Sequence, residues 1–434
     1  MFEHFSQIEL FFHERKQFGV KPGLDRIHKL LNLLGNPQQK VNAIHVAGTN
    51  GKGSTISYLK RSLMKSGYQV GVFNSPSIEG LTGHFMLNDK QIPENDFMQY
   101  INNTLPSIKK LDSESNHPTE FEIMTAIAFL FFADKADIAL IEAGMGGKED
   151  TTNCFDPILS IVTNVEWDHT NFLGRTIESI ASHKSGVIKK ERPAVIGEMS
   201  DKAMNIIIGE AHVKNAPLYV SGKDFDYKIL TSTVQRQTFN FRFPEGPRMH
   251  LTLKAAGDHQ IKNASLAVMA LSILIDEGFN LDWVQCMEGL ADVKIPGRFE
   301  QIHSNPPIIL DAAHNPAGVQ AFTDTITDNI PNMNRHLIFA VFKDKDYRQM
   351  LDHLQPHFTS IILTTFDHPR AAEPQDLKKC CSHSNTRIVS NWHEAVEQIE
   401  LNHHNACYCI TGSLHFIAIV RKYFIEMMKL GHNL

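Results

Sequence analysis

The chain has 434 residues, 42% of them hydrophobic and 21% charged, which is enough for two or three folded domains rather than one core. The formal net charge is −6, which argues against a nucleic-acid binder. No apolar run reaches the roughly 18 residues that a membrane span needs, and the six cysteines lack metal-binding spacing, so we expect a cytoplasmic protein with reduced thiols.

In chain order, the sequence predicts an N-terminal helix and then alternating strands and helices. Residues 1–18 mix charged and apolar residues, which is typical of a helix rather than a signal peptide. Apolar, strand-like runs follow, with helical segments such as 54–64 and 121–132 between them, at residues 42–48, 69–75, 136–144, 159–165 and 194–197. This alternation favours a parallel sheet with helices on both faces, where ligands bind beyond the carboxyl ends of the strands.

The second half of the chain predicts a further sheet. Residues 224–253 are typical of β-hairpins, residues 260–278 of a helix, and residues 294–298 of a linker. The alternation then restarts, with strand-like runs at residues 308–312, 337–342, 360–366, 387–390 and 406–412. We therefore predict two α/β domains, residues 1–296 and a smaller one at residues 297–434.

The most informative motif is the glycine-rich turn after the first strand, Gly-Thr-Asn-Gly-Lys-Gly-Ser-Thr over residues 48–55. Glycines let the backbone approach a phosphate, and the first N–H groups of the following helix favour negative charge. Lys52 adds a cation that can reach the outer phosphates. The spacing differs from the usual phosphate loop, because Val46 replaces the first glycine and Gly53 directly follows the lysine. A glycine turn with a surface lysine is the alternative, which the strand and helix around it disfavour.

Three polar residues lie at or just after the ends of predicted strands: Ser75, Glu142 and His169. A parallel sheet would bring them to one edge together with the glycine-rich turn. A carboxylate there is a natural Mg²⁺ ligand, since that ion prefers oxygen. Taken alone, Glu142 also fits an acidic loop residue, and His169 fits a structural histidine.

Lys184 lies in a predicted helix, where a lysine usually faces solvent. Placed among metal ligands, its ammonium would repel the ion. Reaction of the amine with CO₂ removes this conflict, because the resulting carbamate carries a negative charge.

A further polar cluster lies on both sides of the predicted linker. Asn263 and Arg298 are suited to adenine and phosphate groups, since the planar fork of an arginine matches phosphate oxygens. Asp311 and His314 follow the first strand of the second predicted domain, where they could face a cleft. Each of these residues is a weak signal by itself.

Seven motifs occur in order along the chain: G-T-N-G-K-G-S-T, E-A-G-M-G-G, D-H-T-N-F-L-G, H-K-S-G, G-D-H-Q-I-K-N-A, P-G-R-F-E and D-A-A-H-N-P. This pattern covers nearly the whole chain and resembles the Mur ligase superfamily, most closely the folylpolyglutamate synthases with their bifunctional dihydrofolate synthase forms. Residues 13–27, 119–122 and 410–414 are similar to the folate branch in particular. The resemblance implies a P-loop-type ATPase domain with a mostly parallel sheet, followed by a smaller Rossmann-like α/β domain.

The resemblance also implies a reaction, the ATP-dependent addition of L-glutamate to a reduced folate. Dihydropteroate is a further acceptor that the family allows. A folate carboxylate would take the γ-phosphate of ATP, and the glutamate amine would attack the resulting acyl phosphate. Two Mg²⁺ ions and Lys52 would offset the charge on the transferring group, and domain closure would exclude water. We expect a monomer, with neither nucleic acid nor membrane as partner.

The roles of the family carry over to matching positions. The residues that the resemblance implies for ATP binding are Thr49, Asn50, Gly51, Lys52, Gly53, Ser54, Asn263, Arg298 and Asp311. Those implied for Mg²⁺ are Ser54, Ser75, Glu142, His169 and carbamylated Lys184, and those for folate are Gly23, Leu24, Asp25, Phe121 and Glu122. The implied catalytic set is Lys52, Lys184, His169, Asp311 and, beside the incoming glutamate, His314.

The sequence departs from the family pattern in two places. After Ser75, His84 and Phe85 stand where a Glu-Arg pair is expected, and His183 stands where the family often has Glu. A peptidoglycan ligase of the Mur type is one alternative, disfavoured because residues 1–47 leave no room for a nucleotide-sugar domain. An inactive binding protein is another, disfavoured by the retained Lys52, Glu142, His169 and Lys184.

Overall fold

The structure is a computed structural model that describes residues 1–19, 21–77, 80–243, 246, 248–400 and 405–429. The chain divides into two compact units, which are called unit 1 and unit 2. Unit 1 comprises Met1–Lys228, Asn240–Leu251 and Lys262–Val293. Unit 2 comprises Ile229–Phe239, Thr252–Ile261 and Lys294–Leu434.

Unit 1 is built on an eight-stranded sheet with the order β4-β3-β2-β5-β1-β6-β7-β8. Its strands are β1 Ala43–Ala47, β2 Val70–Phe73, β3 Phe85–Leu87, β4 Lys90–Gln91, β5 Ile138–Glu142, β6 Leu159–Val162, β7 Ala194–Ile196 and β8 Leu218–Val220. All neighbours pair in parallel except β3 with β2 and β4 with β3. The mostly parallel sheet predicted from the alternating apolar runs is confirmed.

Helices cover both faces of this sheet. They are α1 Phe5–Arg15, α2 Asp25–Leu33, α3 Lys52–Lys65, α4 Glu94–Ser113, α5 Glu120–Lys135, α6 Thr170–Leu173, α7 Ile177–Ser185 and α8 Asp201–Val213, followed by α9 Asp258–Asp276, which begins in unit 2, and α10 Trp283–Ala291. Two apolar clusters, one with α1, α2, α4 and α5 and the other with α7 and α8, cover one face of the sheet, and α3 packs against β1, β2 and β5 outside these clusters. Both faces are buried along β1 and β5; β5 is apolar up to its last residue, Glu142, whereas β1 has one polar residue, His45, at its centre.

Strand register brings the predicted site residues to one edge. Val46 of β1 pairs with Glu142 of β5, and Ala47 of β1 pairs with Val162 of β6. The residues that follow β1, β5 and β6 therefore leave the sheet side by side. This edge is the carboxyl end of the parallel strands, where α/β sheets bind their ligands.

A second, three-stranded sheet has the order β11-β10-β9 and consists of β9 Asp226–Ser232, β10 Gln237–Arg242 and β11 Arg248–Leu253. These strands lie within the segment predicted to form hairpins. Their residues are divided between the two units.

Unit 2 contains a six-stranded sheet with the order β12-β13-β17-β14-β15-β16. Its strands are β12 Glu300–Ser304, β13 Pro307–Asp311, β14 Asn334–Phe339, β15 Ser360–Thr365, β16 Thr386–Asn391 and β17 Ala406–Thr411. All pairs are parallel except β12 with β13. Helices pack on both faces, α11 Pro316–Asn329, α12 Tyr347–Leu354 and α13 Pro374–Lys379 on one, and α14 Trp392–Glu397 and α15 Leu414–Lys429 on the other.

Four strands were not predicted, namely β3, β4, β8 and β12. Each lies at or next to a sheet edge and has two to five residues, so its periodicity is too short to stand out. The six cysteines are free thiols, five of them buried. Among the described helices, none combines the length and the apolar composition that crossing a membrane requires.

Candidate active site

The glycine-rich turn joins β1 to α3 and leaves the start of that helix open. Gly51 is the N-cap residue with φ 85°, and no side chain caps the helix, unlike α5, α7 and α11, which Thr119, Thr176 and Asn315 cap. A side chain at Gly53 would meet nothing within 4 Å, so a ligand has room to approach the backbone. Uncapped N–H groups and the helix dipole favour an anion here.

Lys52 lies against this turn and faces Glu142. Its Nζ donates to the carbonyl oxygens of Gly48 at 3.0 Å and Thr49 at 3.3 Å. It also lies 4.0 Å from Oε1 of Glu142. The structure therefore brings the predicted phosphate cation next to the predicted metal ligand.

Ser75 contacts the same carboxylate, and Phe121 lies beside Gly144, two residues further along the chain than Glu142. The backbone N–H of Ser75 donates to Oε2 of Glu142 at 3.3 Å. A Cβ placed on Gly144 would lie 3.2 Å from Oγ of Ser75 and 3.0 Å from the ring of Phe121. That ring stacks on Phe73 with centroids 5.7 Å apart. The lack of a side chain at residue 144 thus lets an aromatic ring and a hydroxyl meet at the end of β5.

Lys184 is buried, with 2% of its surface exposed. A Cβ on Gly147 would lie 2.8 Å from the carbonyl oxygen of His183 and 3.0 Å from that of Lys184, so the glycine turn after Glu142 packs closely on α7. Burial, and to a lesser extent the charge of Lys52, lower the pKa of Lys184 from 10.5 to about 7 against the opposing effect of Asp168 and Asp150. Within the described part of the chain, its ammonium has no hydrogen-bond or salt-bridge partner.

His169 is the N-cap residue of α6 and has a left-handed backbone, with φ 51° and ψ 34°. Its Nε2 lies 3.8 Å from Oδ2 of Asp168, and 38% of its side chain is exposed. Among the described residues, no group of three His, Cys, Asp or Glu side chains is arranged to hold a metal ion. A metal at this edge would therefore need ligands of other types as well.

The residues predicted for folate lie at the starts of two helices. Gly23 and Leu24 precede α2, and the backbone N–H of Gly23 donates to the carbonyl oxygen of Glu149 at 3.5 Å. Glu122 is fully buried and forms a capping box with Thr119 at the start of α5. Its Oε1 also lies 3.1 Å from Nε of Arg26. Glu122 thus has a structural role, and Arg26, which joins α2 to α5, is a residue that the sequence analysis missed.

Asn263 lies on α9 against the glycine-rich turn. A side chain at Gly51 would collide with the carboxamide oxygen of Asn263. Asn263 is 8% exposed, so this contact is packed. The structure therefore brings this predicted ATP residue to the phosphate loop.

In unit 2, Asp311 ends β13 and organises the turns around it. Its Oδ2 accepts from the backbone N–H of Phe299 and its Oδ1 from that of Ala313, both at 2.8 Å. Burial raises the pKa of Asp311, while the charge of Arg298 opposes this effect. Nδ1 of His314 donates to the carbonyl oxygen of Ala312 at 2.9 Å, as does Nη1 of Arg298 at 3.2 Å. The three predicted residues of this unit therefore lie around one strand end.

The segment after Ser75 is partly a strand rather than a loop. Phe85 is fully buried on β3, opposite Phe73, and Nδ1 of His84 lies 2.7 Å from the carbonyl oxygen of Asn74. Ile78 and Glu79 of the same segment lie outside the described residues. The two residues that depart from the family pattern thus pack beside the end of β2.

Thr163 and Asn164 were also missed, although both contact the phosphate loop directly. Oδ1 of Asn164 accepts from the backbone N–H groups of Thr49 and Asn50, and Oγ1 of Thr163 donates to the carbonyl oxygen of Asn50. The signal that could have found them is a Thr-Asn pair directly after a buried strand.

Known proteins share this architecture and sequence pattern. Residues 46–271 match the Mur ligase middle domain, and residues 297–414 match the glutamate ligase domain of Mur ligases. The chain is 36% identical to the dihydrofolate synthase/folylpolyglutamate synthase of Bacillus subtilis, over 97% of this chain and 99% of that protein.

Two solved structures extend the similarity to the fold. The folylpolyglutamate synthase of Mycobacterium tuberculosis, complexed with ADP and AMPPCP, superimposes with a TM-score of 0.89 at 28% identity, covering 97% of this chain and 98% of that one. FolC of E. coli, in complex with DHPP and ADP, gives a TM-score of 0.86 at 25% identity, with the same coverage.

Proposed function

Because this chain belongs to the folylpolyglutamate/dihydrofolate synthase family of Mur ligases, we propose that the edge of the unit 1 sheet binds ATP and a folate and activates the folate carboxylate as an acyl phosphate. The observation that carries this proposal is the gathering of Lys52, Glu142, Ser75 and Phe121 at that edge. A cation for phosphates, oxygen ligands for a metal and an aromatic ring for a pterin adjoin one another there.

In the proposed reaction, a carboxylate oxygen of the folate attacks the γ-phosphorus of ATP, and ADP leaves. The amine of L-glutamate then attacks the acyl carbon, loses a proton and displaces inorganic phosphate, which forms the amide bond. Lys52 would hold the outer phosphates at the uncapped start of α3, where the loop carbonyls and Glu142 already keep its ammonium in place. Preorganised charge of this kind stabilises the transferring phosphoryl group.

The donor set at the edge fits Mg²⁺. This ion prefers oxygen ligands, usually one or two carboxylates from the protein and the rest from phosphate and water, and the carboxylate of Glu142 and the hydroxyl of Ser75 both lie at this edge. We assign one ion to Ser54, Ser75 and Glu142, and a second to His169 with carbamylated Lys184. When bound, Mg²⁺ would offset the negative charge of the phosphoryl group.

Carbamylation of Lys184 is supported by its surroundings. The amine is buried, lies near Lys52, and has no partner among the described residues. Its nitrogen would attack the carbon of CO₂ and release a proton, leaving a carboxylate-like group. The repulsion between two ammonium groups would thereby become attraction, and a metal ligand would be gained.

Substitution of Lys184 tests this assignment. Lys184→Ala should lose ligase activity, and short carboxylic acids should restore part of it by occupying the vacated space. Lys190→Ala is the matched control, because Lys190 lies nearby in the sequence and 77% of its side chain is exposed. Full activity of Lys184→Ala without any additive would refute the carbamate.

The remaining assignments follow from the family. We propose that Asn263 of unit 1, and Arg298 and Asp311 of unit 2, contact ATP, and that His314 lies beside the incoming glutamate. We also propose that the domains divide at residue 297 and that the protein acts as a cytoplasmic monomer.

One assay tests the function against its alternatives. The purified protein is incubated with ATP, Mg²⁺ and radiolabelled L-glutamate, and with tetrahydrofolate, dihydropteroate or a muramyl nucleotide as acceptor. We expect label in tetrahydrofolate, and label in dihydropteroate as well would make the enzyme bifunctional. Label in the muramyl nucleotide alone would identify a peptidoglycan ligase, and ADP binding without any label would identify an inactive protein.

A further inference from the structure

The segment after β6, residues 163–166, is tied to the phosphate loop by hydrogen bonds that the assigned catalytic roles do not use. The carboxamide oxygen of Asn164 accepts the backbone N–H of Thr49 at 3.1 Å and that of Asn50 at 2.9 Å. A carboxamide oxygen has two lone pairs, so one side chain binds two consecutive N–H groups of the loop.

Thr163 and Glu166 fix the rest of the loop from the same segment. Oγ1 of Thr163, which is 5% exposed, donates to the carbonyl oxygen of Asn50 at 2.6 Å. Oγ1 of Thr49 donates to the carbonyl oxygen of Glu166 at 3.1 Å and accepts from its N–H at 3.0 Å. Gly48 has φ 152°, and a Cβ there would collide with the side chain of Thr163, so the two segments are in direct contact.

These hydrogen bonds give the two ends of the loop different roles: residues 49 and 50 bind the segment after β6, and the start of α3 is left to bind phosphate. In a glycine-rich phosphate loop, the backbone N–H groups are the usual donors to phosphate. Here the N–H groups of Thr49 and Asn50, two residues expected from the sequence to bind ATP, donate instead to Asn164. The phosphate is then left with the uncapped first turn of α3, which begins at Lys52.

We propose that Asn164, supported by Thr163, is a positioning residue for nucleotide binding. It holds residues 48–50 in the conformation that presents the start of α3 and Lys52 to the phosphates, and it does not touch the nucleotide. The proposal rests on the proposed function to the extent that the nucleotide is ATP.

Nucleotide affinity in an Asn164→Ala variant tests the proposal. The variant removes the carboxamide acceptor of both N–H groups, although that of Thr49 keeps the backbone carbonyl oxygen of residue 164 at 3.3 Å. The dissociation constant of ADP, measured by titration calorimetry, and the KM for ATP should both rise about tenfold. The kcat at saturating ATP should change less than threefold, and the KM for the folate should not change. Asn103→Ala, exposed on α4, is the matched control.

A second pair of variants keeps the test decisive if Asn164→Ala does not fold. Thr163→Val removes the hydroxyl and keeps the shape, and should weaken ADP binding, whereas Thr163→Ser keeps the hydroxyl and should bind as the wild type does. Unchanged ADP affinity in the folded Asn164→Ala or Thr163→Val protein would overturn the proposal, as would equal weakening in Thr163→Ser and Thr163→Val. ADP binding requires no turnover, so a protein that binds ADP without ligase activity refutes the proposed function alone.

Discussion

His45 makes the stability of unit 1 depend on pH. It lies in β1, fully buried, with Nε2 2.9 Å from Oγ1 of Thr152. Burial lowers its pKa from 6.5 to about 3, and the charge of Lys189 acts in the same direction. Between these two pKa values the unfolded chain binds a proton that the folded protein excludes. The free energy of unfolding therefore falls as the pH drops below 6.5, until the folded pKa is reached near 3.

The size of the effect follows from the two pKa values. Relative to pH 8, His45 should cost unit 1 about 2 kcal/mol of stability at pH 5 and about 3 kcal/mol at pH 4. His45→Leu keeps a side chain of similar size and removes the titrating group. Because Oγ1 of Thr152 also donates to Asp150, its hydroxyl proton stays paired in the variant. Between pH 8 and pH 5, the free energy of unfolding should thus fall by about 2 kcal/mol less in His45→Leu than in the wild type.

The tryptophans allow this measurement on unit 1 alone. Of the three tryptophans, Trp167 and Trp283 lie in unit 1 and Trp392 in unit 2. In a Trp392→Phe background, fluorescence during urea unfolding therefore reports on unit 1, which avoids treating both units as one transition. His28→Leu, an exposed position on α2, serves as control. If His45→Leu loses as much stability as the wild type between pH 8 and pH 5, the burial argument is wrong.

Three further predictions concern the site. Gly51→Ala should raise the ADP dissociation constant more than tenfold, since its φ of 85° disfavours a side chain and the Cβ would collide with Asn263; an unchanged calorimetric titration would contradict this. Phe121→Ala should raise the KM for the folate about tenfold through loss of the stacked ring and leave ADP binding intact, which steady-state kinetics and calorimetry separate. Arg26→Met should destabilise unit 1 by about 3 kcal/mol in urea, because it leaves buried Glu122 without its cation; the double variant with Glu122→Gln should recover most of this loss, and failure to do so would assign the effect to packing.

Sequence patterns predicted those parts of the site that depend on strand ends. Glu142 and the glycine-rich turn follow short buried strands, and parallel pairing then places them side by side. The contact of Lys52 with Glu142 follows from this arrangement and from the helix that begins at residue 52. Periodicity and the rule for strand ends were therefore sufficient for the centre of the site.

Contacts between residues far apart in the sequence could not be predicted in the same way. Arg26 and Glu122 are in contact although 96 positions separate them in the sequence, and Asn164 and Thr49 are in contact although 115 positions separate them. In neither pair does a local sequence pattern indicate the partner. The burial of Lys184 likewise depends on a glycine turn 37 positions earlier, at residue 147, which packs on its helix. Such features arise from tertiary packing, which composition and spacing do not encode.

The uncapped start of α3 has a consequence for the lifetime of the protein in the cell. Because the N-cap residue Gly51 has no side chain to cap this helix, a bound nucleotide would supply hydrogen-bond acceptors to its first turn and act as part of the fold. A ligand at one hundred times its dissociation constant stabilises the folded state by about 2.7 kcal/mol. Proteolysis that proceeds through the open state would then slow by about a hundredfold when adenine nucleotides are abundant. The abundance of the enzyme would thereby follow the concentration of adenine nucleotides in the cell.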